Sequence, residues 1–326
     1  PHNIFDAGDI YLKIYIGGMV FLFCYNVATG IFTALGDSKT PLYFLIGSSV
    51  GNVALDYLFV AVFHFGVSGV GWATFLAQGI AGILAVITLL RRVAKLPTGH
   101  GKVMLYSKSM LRRIAKIAVP SILQQSFVSV GNIFIQSLVN SFGSAVIAGY
   151  SAAIKLNTFT ITSFSTLGNA LSSFSAQNIG AAKIDRVRKG FRAGTMLAWI
   201  IAVPFFVLFF FFGNEMLRIF MENPTGGAMK AGMAFLKIVS PFYFIISLKL
   251  LADGLLRGSS AMIGFMVSTF TDLILRVILA YVFAGLFGST GIWMSWPVGW
   301  SISAIISLLF YRYTWKQLSV ERRLLK

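Results

Sequence analysis

Long apolar stretches alternate with short polar turns along the whole chain. Each stretch has at least the roughly 20 residues that an α-helix needs to cross the hydrocarbon of a bilayer. The pattern predicts nine membrane-spanning helices, at about residues 9–36, 41–64, 67–92, 111–142, 145–179, 186–220, 226–257, 261–286 and 290–316. Kinks are expected at three of the prolines inside these helices, Pro120, Pro204 and Pro241.

Residues 11–92 occur a second time, in diverged form, at 235–312. The segment YLKI at Tyr11–Ile14 returns as FLKI 224 residues later, and FGVSGV at Phe65–Val70 returns as FGSTGI at an offset of 222. A repeat of this length is a duplicated half of a protein and not a solenoid unit. In so apolar a chain, duplicated halves favour an alternating-access transporter.

The second copy is preceded by three predicted helices, whereas none precedes the first copy. If the two halves are equal, the chain is part of a twelve-helix protein and lacks about its first three helices. The alternative is a natural nine-helix protein. The predicted organisation is an incomplete N-lobe of three helices at 1–97, an inter-lobe linker at 98–110, and a complete six-helix C-lobe at 111–326.

The composition is that of an integral membrane protein. Mean hydropathy is +0.80, and 11% of residues are charged, whereas a soluble domain carries about 25%. The single cysteine, Cys24, excludes a disulfide framework, and three scattered His argue against a structural metal site. No Ser/His/Asp or Cys/His constellation is present in the sequence, so we expect neither an enzyme nor a bound cofactor.

The net charge of +17 comes mostly from basic residues in alternate loops and in the tail. The intervening loops, HFGVSG, SFGSA, MENPTGG and LFGSTG, contain no Lys or Arg. By the positive-inside rule the basic side is cytoplasmic, which predicts a cytoplasmic linker and a cytoplasmic C-terminus. The charge therefore indicates membrane topology and not nucleic-acid binding.

Asp56 is the one acid at membrane depth in the first lobe, and Asn52 precedes it by four residues on the same helix face. Residue counts from the turns place Asn26 and Thr74 at a similar depth. One carboxylate with amide and hydroxyl oxygens suits Na⁺ or a titrating proton. The sequence thus predicts a cation-coupling site at Asn26, Asn52, Asp56 and Thr74. The alternative is that the amides and Thr74 only satisfy hydrogen bonds between helices.

The second lobe carries basic and acidic residues at the same depth. We predict a charge network there, formed by Lys155, Lys249, Asp272 and Arg276. A further pair, Asp253 and Arg257, is expected near the cytoplasmic end of its helix. The favoured interpretation is structural, because buried ion pairs hold packing more reliably than they bind substrate.

Four segments resemble the multidrug and toxic compound extrusion (MATE) transporters, and the resemblance covers nearly the whole chain. They are ALGDSKTP at Ala34–Pro41, NVALD at Asn52–Asp56, GVGWATFLAQ at Gly69–Gln78 and SAQNIGAAKIDRVRKG at Ser175–Gly190. The resemblance implies an all-α fold of twelve helices in two six-helix lobes, of which this chain would hold helices four to twelve. It also implies cation-coupled efflux.

The resemblance implies an N-lobe cation site at Asn26, Asn52, Asp56 and Thr74, joined in the family by an Asp of helix one that this chain lacks. Some branches of the family carry a Glu on helix seven, where this chain has Val128. An Asp expected well before Arg257-Gly258 is also missing. These departures favour coupling through the first lobe.

We therefore expect an antiporter of the cytoplasmic membrane that takes in Na⁺ or H⁺ and exports an amphipathic, cationic organic solute. The alternative is a lipid-linked oligosaccharide flippase of the same superfamily. A flippase needs a cationic cavity, with Lys155, Lys249 and Arg276 facing it and not their acids. The expected partners are a small organic solute and the lipid bilayer, with no nucleic acid, and the protein is expected to be a monomer.

Overall fold

The computed structural model describes residues 2–96, 106–221 and 226–324, with side chains from residue 7 to residue 317. Every regular element in these ranges is helical. The chain divides into two compact units, unit 1 at Pro1–Met104 and unit 2 at Leu105–Lys326. Residues 98–105 of the predicted linker lie outside the described ranges, so the cytoplasmic position of the linker stays a prediction.

Unit 1 contains three long helices. They are α1 (His2–Ala34), α2 (Lys39–Tyr57), which continues as a π-helix over Leu58–Val62, and α3 (Gly66–Val93). Helix α3 packs along α1 more extensively than along α2, and α1 and α2 contact each other little. Gly82 allows the close approach of α3 to α1, because a Cβ there would lie 2.7 Å from the Phe21 carbonyl oxygen.

Unit 2 contains the remaining eight helices. They are α4 (Lys108–Asn140), α5 (Ser144–Gly180), α6 (Ile184–Phe211), α7 (Gly213–Arg218), α8 (Gly226–Val239), α9 (Tyr243–Gly258), α10 (Met262–Phe287) and α11 (Ser289–Leu324). An aromatic core holds this unit together, with Tyr150 stacked on Trp293 at a centroid distance of 5.0 Å. Helix α5 packs mainly against α8 and α9, and α10 packs mainly against α11.

Eight of the nine predicted membrane spans are confirmed, in that the described chain has eight helical segments long and apolar enough to cross a membrane. One of them is the α8–α9 segment, Gly226–Gly258. The ninth predicted span is α5, which has 37 residues but is not among the eight. One face of α5 is rich in Thr, Ser and Asn and lines a cavity inside unit 2, so its polarity faces the bundle interior. The lower hydropathy of α5 thus has a structural reason.

The two copies of the repeat place their turns at matching residues. The backbone enters the left-handed region at Gly36 after α1 and at Ser260 after α9, 224 residues later. It does so again at Gly66, the first residue of α3, and at Gly288, which directly precedes α11, at an offset of 222. The conformation therefore repeats at the offsets found in the sequence.

The slip of the offset by two residues lies between these two turns, where unit 1 contains the π-helical segment Leu58–Val62. A π-helical turn takes in extra residues without ending the helix, and such turns are frequent at functional sites. Asp56 lies two residues before this segment. The two additional residues of unit 1 lie in the turn that follows, because residues 63–65 separate the π-helix from α3, whereas Gly288 alone separates α10 from α11.

A proline produces the second difference between the copies. Helix α1 is continuous, but the corresponding stretch of unit 2 breaks into α8 and α9 at the 3₁₀ turn Ser240–Phe242, which contains Pro241. Proline removes a backbone donor and clashes with the preceding helical turn. The kink predicted at Pro241 thus falls at this 3₁₀ turn, whereas α4 and α6 remain helical through Pro120 and Pro204.

Asp37 organises the turn between α1 and α2. Its carboxylate accepts hydrogen bonds from the backbone N–H of Thr40 at 3.1 Å and from the Thr40 hydroxyl at 2.8 Å. These bonds cap the N-terminus of α2 and hold the pKa of Asp37 below its usual range. Part of the ALGDSKTP motif is thus explained by helix capping.

Candidate functional site

Unit 1 contains a partly open cavity of about 220 Å³ between its three helices. Its walls combine apolar residues with hydroxyl and amide groups, and none of the described residues that line it is charged. The lining residues are Leu22, Tyr25, Leu45, Ser48, Ser49, Asn52, Thr74, Ala77, Gln78 and Ala81.

The structure brings together two of the four residues predicted to bind the coupling cation, since Asn52 and Thr74 line this cavity. Asp56 lies one turn along α2 from Asn52. The Asp56 Oδ1 and Asn52 Nδ2 atoms are buried without a hydrogen-bond partner among the described residues. Asn26 is apart from them, because its side chain is exposed and its Nδ2 donates to the Leu22 carbonyl at 2.8 Å.

The sequence prediction missed Tyr25, Ser48 and Gln78 in this cavity. Ser48 precedes Asn52 by four residues, and Gln78 follows Thr74 by four, so each shares a helix face with a predicted residue. Ser48 and Gln78 could therefore have been predicted by extending each polar helix face by one turn. Tyr25 has no such signal, because it is not three or four residues from a predicted residue of its own helix, and its hydroxyl donates to the Pro41 carbonyl at 3.3 Å.

Unit 2 encloses a larger cavity, of about 500 Å³. Helix α4 contributes the face that carries Gln124, Val128, Asn132 and Gln136, which recur every four residues. The polar face of α5 and residues of α9, α10 and α11 complete the walls. The residues from these helices are Tyr150, Ile154, Asn157, Thr158, Ile161, Thr162, Ser165, Ile246, Lys249, Leu250, Thr269, Asp272, Arg276, Trp296 and Trp300, with Gln125 from α4.

Beside this cavity a buried carboxylate connects three helices. Asp253 of α9 accepts hydrogen bonds from the Lys249 ammonium at 2.8 Å, from Ser307 of α11 at 2.6 Å and from Ser268 of α10 at 3.2 Å. Asp253 and Lys249 are each 3% exposed. All of the donors that a buried carboxylate requires are therefore in place.

A second pair lies in the cavity wall and is less completely bonded. Arg276 Nη2 is 4.0 Å from Asp272 Oδ2, and the guanidinium lies over the Trp296 ring at 4.6 Å from its centroid. The Asp272 Oδ1, Arg276 Nε, Thr269 Oγ1 and Trp296 Nε1 atoms are buried and have no hydrogen-bond partner among the described residues.

The structure brings together three of the four residues of the predicted charge network, because Lys249, Asp272 and Arg276 line one cavity. Lys155 is exposed and lies over the Phe220 ring at 5.9 Å from its centroid. The predicted pairing of Asp253 with Arg257 is wrong. Asp253 binds Lys249, which is also four residues away, and Arg257 donates instead to Asn169 at 2.8 Å.

The two cavities are built from equivalent positions of the repeat. At the offset of 224, Leu22, Tyr25, Leu45, Ser48 and Asn52 correspond to Ile246, Lys249, Thr269, Asp272 and Arg276, and all ten line their cavities. At the offset of 222, Thr74 and Gln78 correspond to Trp296 and Trp300. The cavity of unit 1 is neutral, whereas that of unit 2 is lined by two cations and one anion.

Comparison with known proteins identifies relatives of this chain. The family model MatE matches residues 1–58 and 120–282. The chain is 31% identical to the probable multidrug resistance protein YpnP of Bacillus subtilis, over 98% of this chain and 71% of that protein. It is 23% identical to the probable multidrug resistance protein NorM of Thermotoga maritima, over 95% of this chain and 67% of that protein.

A solved structure supports the fold. The chain matches an outward-facing conformation of a multidrug resistance MATE family transporter of the MOP superfamily, with a TM-score of 0.87 and 19% identity. The match covers 95% of this chain and 70% of that chain. The prediction that three helices precede this chain stays a prediction.

Proposed function

The chain belongs to the MatE family of membrane transporters, and on that premise we propose that it is a cation-coupled antiporter that exports organic solutes by alternating access. It is a multi-pass α-helical membrane protein. The printed names of its relatives YpnP and NorM describe probable multidrug resistance proteins, which supports an amphipathic organic substrate. The basic loops and tail support a C-terminus on the cytoplasmic side of the cytoplasmic membrane.

One observation carries the coupling part of this proposal. Asp56 Oδ1 and Asn52 Nδ2 are both buried and unpartnered among the described residues, one helical turn apart, within a membrane-spanning helix. An ionisable group inside a membrane helix is costly and marks an ion or proton pathway. The coupling site of the proposal therefore consists of Asp56, Asn52 and Thr74, with Na⁺ or H⁺ as the transported ion.

The physical basis of coupling is the charge state of Asp56. A buried carboxylate without a cation is unfavourable, and binding of H⁺ or Na⁺ removes that cost. A ligand that binds one conformation better than another shifts the population toward the first. The adjoining π-helical segment offers a place where α2 can change its hydrogen-bond register as the charge changes.

Asn26 has less support than the other predicted residues, because its side chain is exposed and bonded within its own helix. The flippase alternative is not favoured either. It requires free cations in a cavity, but Lys249 lies 2.8 Å from Asp253 and Arg276 lies 4.0 Å from Asp272.

The test is counter-transport by the full-length protein in sealed vesicles. A Na⁺ gradient and a pH gradient are imposed separately, and export of ethidium is followed by fluorescence. We expect one of the two gradients to drive export. Asp56→Asn should abolish gradient-driven export, because the amide neither titrates nor attracts a cation.

Asp9→Asn is the matched control, since Asp9 is an exposed acid of unit 1 that pairs with Lys13 at 2.6 Å. This variant should transport like the unchanged protein. Gradient-driven ethidium export by Asp56→Asn at the rate of the control would refute the coupling assignment. If neither the Na⁺ gradient nor the pH gradient drives ethidium export by the unchanged protein, antiport itself is refuted.

A further inference from the structure

The cavity of unit 2 has the properties of a ligand site in its own right. Its volume of about 500 Å³ is within the range of about 300–1,000 Å³ that small-molecule pockets occupy. It lies entirely within unit 2, so an inference about it is independent of the cation site proposed in unit 1. The question is which chemical class of solute its walls fit.

The unpartnered atoms of the wall define the hydrogen-bonding groups that a solute must bring. Arg276 Nε–H and Trp296 Nε1–H can only donate, Asp272 Oδ1 accepts, and the Thr269 hydroxyl does either. All four residues are at least 93% buried, with Thr269 and Trp296 at 5% exposure and Asp272 and Arg276 at 7%. Buried groups of this kind are costly unless a partner reaches them. The complementary solute therefore carries both acceptors and donors.

The charges of the wall indicate that this solute has no net charge. Each cation of the cavity has its own acid, Asp253 for Lys249 and Asp272 for Arg276. A charged solute would lose its hydration and find no uncompensated charge of opposite sign. Neutral amides and hydroxyls supply most of the remaining polar wall, from Gln124 and Asn132 on α4 to Thr158 and Thr162 on α5.

Aromatic side chains add a preference for a planar ring. Trp300 and Tyr150 line the same cavity, and the second face of Tyr150 is covered by Trp293. Stacking of a heterocyclic base on an aromatic side chain is favourable and tolerant of base identity. We propose that the unit 2 cavity binds an uncharged nucleoside-type solute, with a planar ring against these aromatic side chains and its hydroxyl and amide groups bonded to Thr269, Asp272 and Arg276.

Equilibrium binding to the purified full-length protein in lipid nanodiscs tests this proposal. The probes are radiolabelled adenosine and uridine, with the anion AMP and the cation ethidium as competitors. At least one nucleoside should bind saturably. Thr269→Val should weaken that binding about fivefold to tenfold, through loss of one hydrogen bond, while Thr269→Ser should retain it.

Two variants of unit 1 locate the site. Asn52 is the repeat equivalent of Arg276, and Asn52→Ala should leave nucleoside binding unchanged. Asp56→Asn should leave it unchanged as well. Retained binding by Asp56→Asn also separates this inference from the antiport proposal, because that variant is expected to lose coupled export.

Three results would overturn the inference. The first is absence of saturable binding for both nucleosides. The second is equal affinity of Thr269→Val and Thr269→Ser, which would remove the hydroxyl contact. The third is displacement of the nucleoside by AMP or ethidium at lower concentration than by unlabelled nucleoside, which would exclude an uncharged ligand class.

Discussion

The residues around the buried carboxylate of unit 2 are polar, whereas those at the equivalent repeat positions of unit 1 are mostly apolar. Asp253, Ser268 and Ser307 form a polar connection between three helices. The equivalent residues of unit 1 are Thr29, Phe44 and Ala85, and Ala85 and Phe44 belong to a small apolar cluster. One copy of the repeat thus joins its helices by hydrogen bonds to a charge, and the other joins them by apolar contact.

The same divergence extends to the cavities that lie next to these clusters. Equivalent backbone positions face the cavity in both units, so the duplicated helix arrangement determines where each cavity lies. The side chains at those positions then determine its chemistry, with Ser48 and Asn52 in one unit and Asp272 and Arg276 in the other. The comparison shows that the same helix arrangement can hold cavities of different chemistry, because only the side chains at equivalent positions differ.

The largest expected effect comes from breaking the buried ion pair of unit 2. Lys249→Met leaves Asp253 charged and without its ammonium, which should lower the free energy of unfolding by about 3–5 kcal/mol. Thermal unfolding in detergent measures the loss. The double variant Lys249→Met, Asp253→Asn should recover most of it, because no buried charge remains.

The equivalent position of unit 1 provides the control for that variant. Tyr25→Phe removes only a 3.3 Å hydrogen bond to the Pro41 carbonyl, so its cost should be about 1 kcal/mol or less. Equal losses for Lys249→Met and Tyr25→Phe would contradict the claimed difference between the units.

A second comparison uses equivalent glycines. A Cβ on Gly254 would clash with the Gly168 carbonyl oxygen, because α9 and α5 approach closely there. Gly30, the equivalent residue, has no such neighbour within 4 Å. Gly254→Val should cost about 1–3 kcal/mol or more through overpacking. Gly30→Val in this chain should change stability by about 0.5 kcal/mol at most.

Size-exclusion profiles after graded heating compare these two glycine variants. The close approach of α5 and α9 would be in doubt if Gly254→Val survived heating as well as Gly30→Val did.

A third and smaller effect concerns the neutral residues of the unit 1 cavity. Asn52→Ala and Thr74→Ala each remove one neutral ligand of the proposed cation, so each should raise the half-saturating cation concentration for transport about fivefold. Asn26→Ala is the control and should change it little, because the Asn26 amide is bonded to Leu22. A larger effect at Asn26 than at Asn52 would restore the four-residue site that the sequence predicted.

The smallest effect is expected at the turn before α2. Asp37 has a lowered pKa, so its stabilising contribution is present above the ordinary carboxyl pKa of about 3.9 and is lost as the pH falls through the still lower folded pKa. Asp37→Ala introduces the residue that unit 2 has at the equivalent position, Ala261. Its thermal midpoint should fall below that of the unchanged protein at pH 7, and the gap should narrow as the pH falls below about 3.9. A gap that stays constant as the pH falls through this range would show that the charge of Asp37 is not its cause.

Much of this architecture could be predicted from the sequence. The spans follow from hydropathy, because a bilayer imposes a length and a polarity on every helix that crosses it. The repeat offsets of 224 and 222 anticipated the left-handed turns at Gly36 and Ser260 and at Gly66 and Gly288. Asp56 stood out as an acid in an apolar helix, since such a residue is rare without a purpose.

Depth counting could not decide which side chains meet. It placed Asn26 level with Asn52, but a residue count gives height and not the direction in which a side chain points around the helix. Lys249 had two acids within reach by that count and bonds to Asp253, because both lie on one face of α9 at a spacing of four residues. The exposure of Lys155 was undecided for the same reason.

The sequence by itself thus determined the membrane class, the helix order, the duplication and the rare acid of unit 1, all of which are properties of one helix or one alignment. Only the tertiary structure decided that two equivalent cavities exist and that one is neutral and the other charged. It also decided which polar atoms remain without a partner. Those properties depend on the rotation of each helix against its neighbours, which contacts between distant residues set.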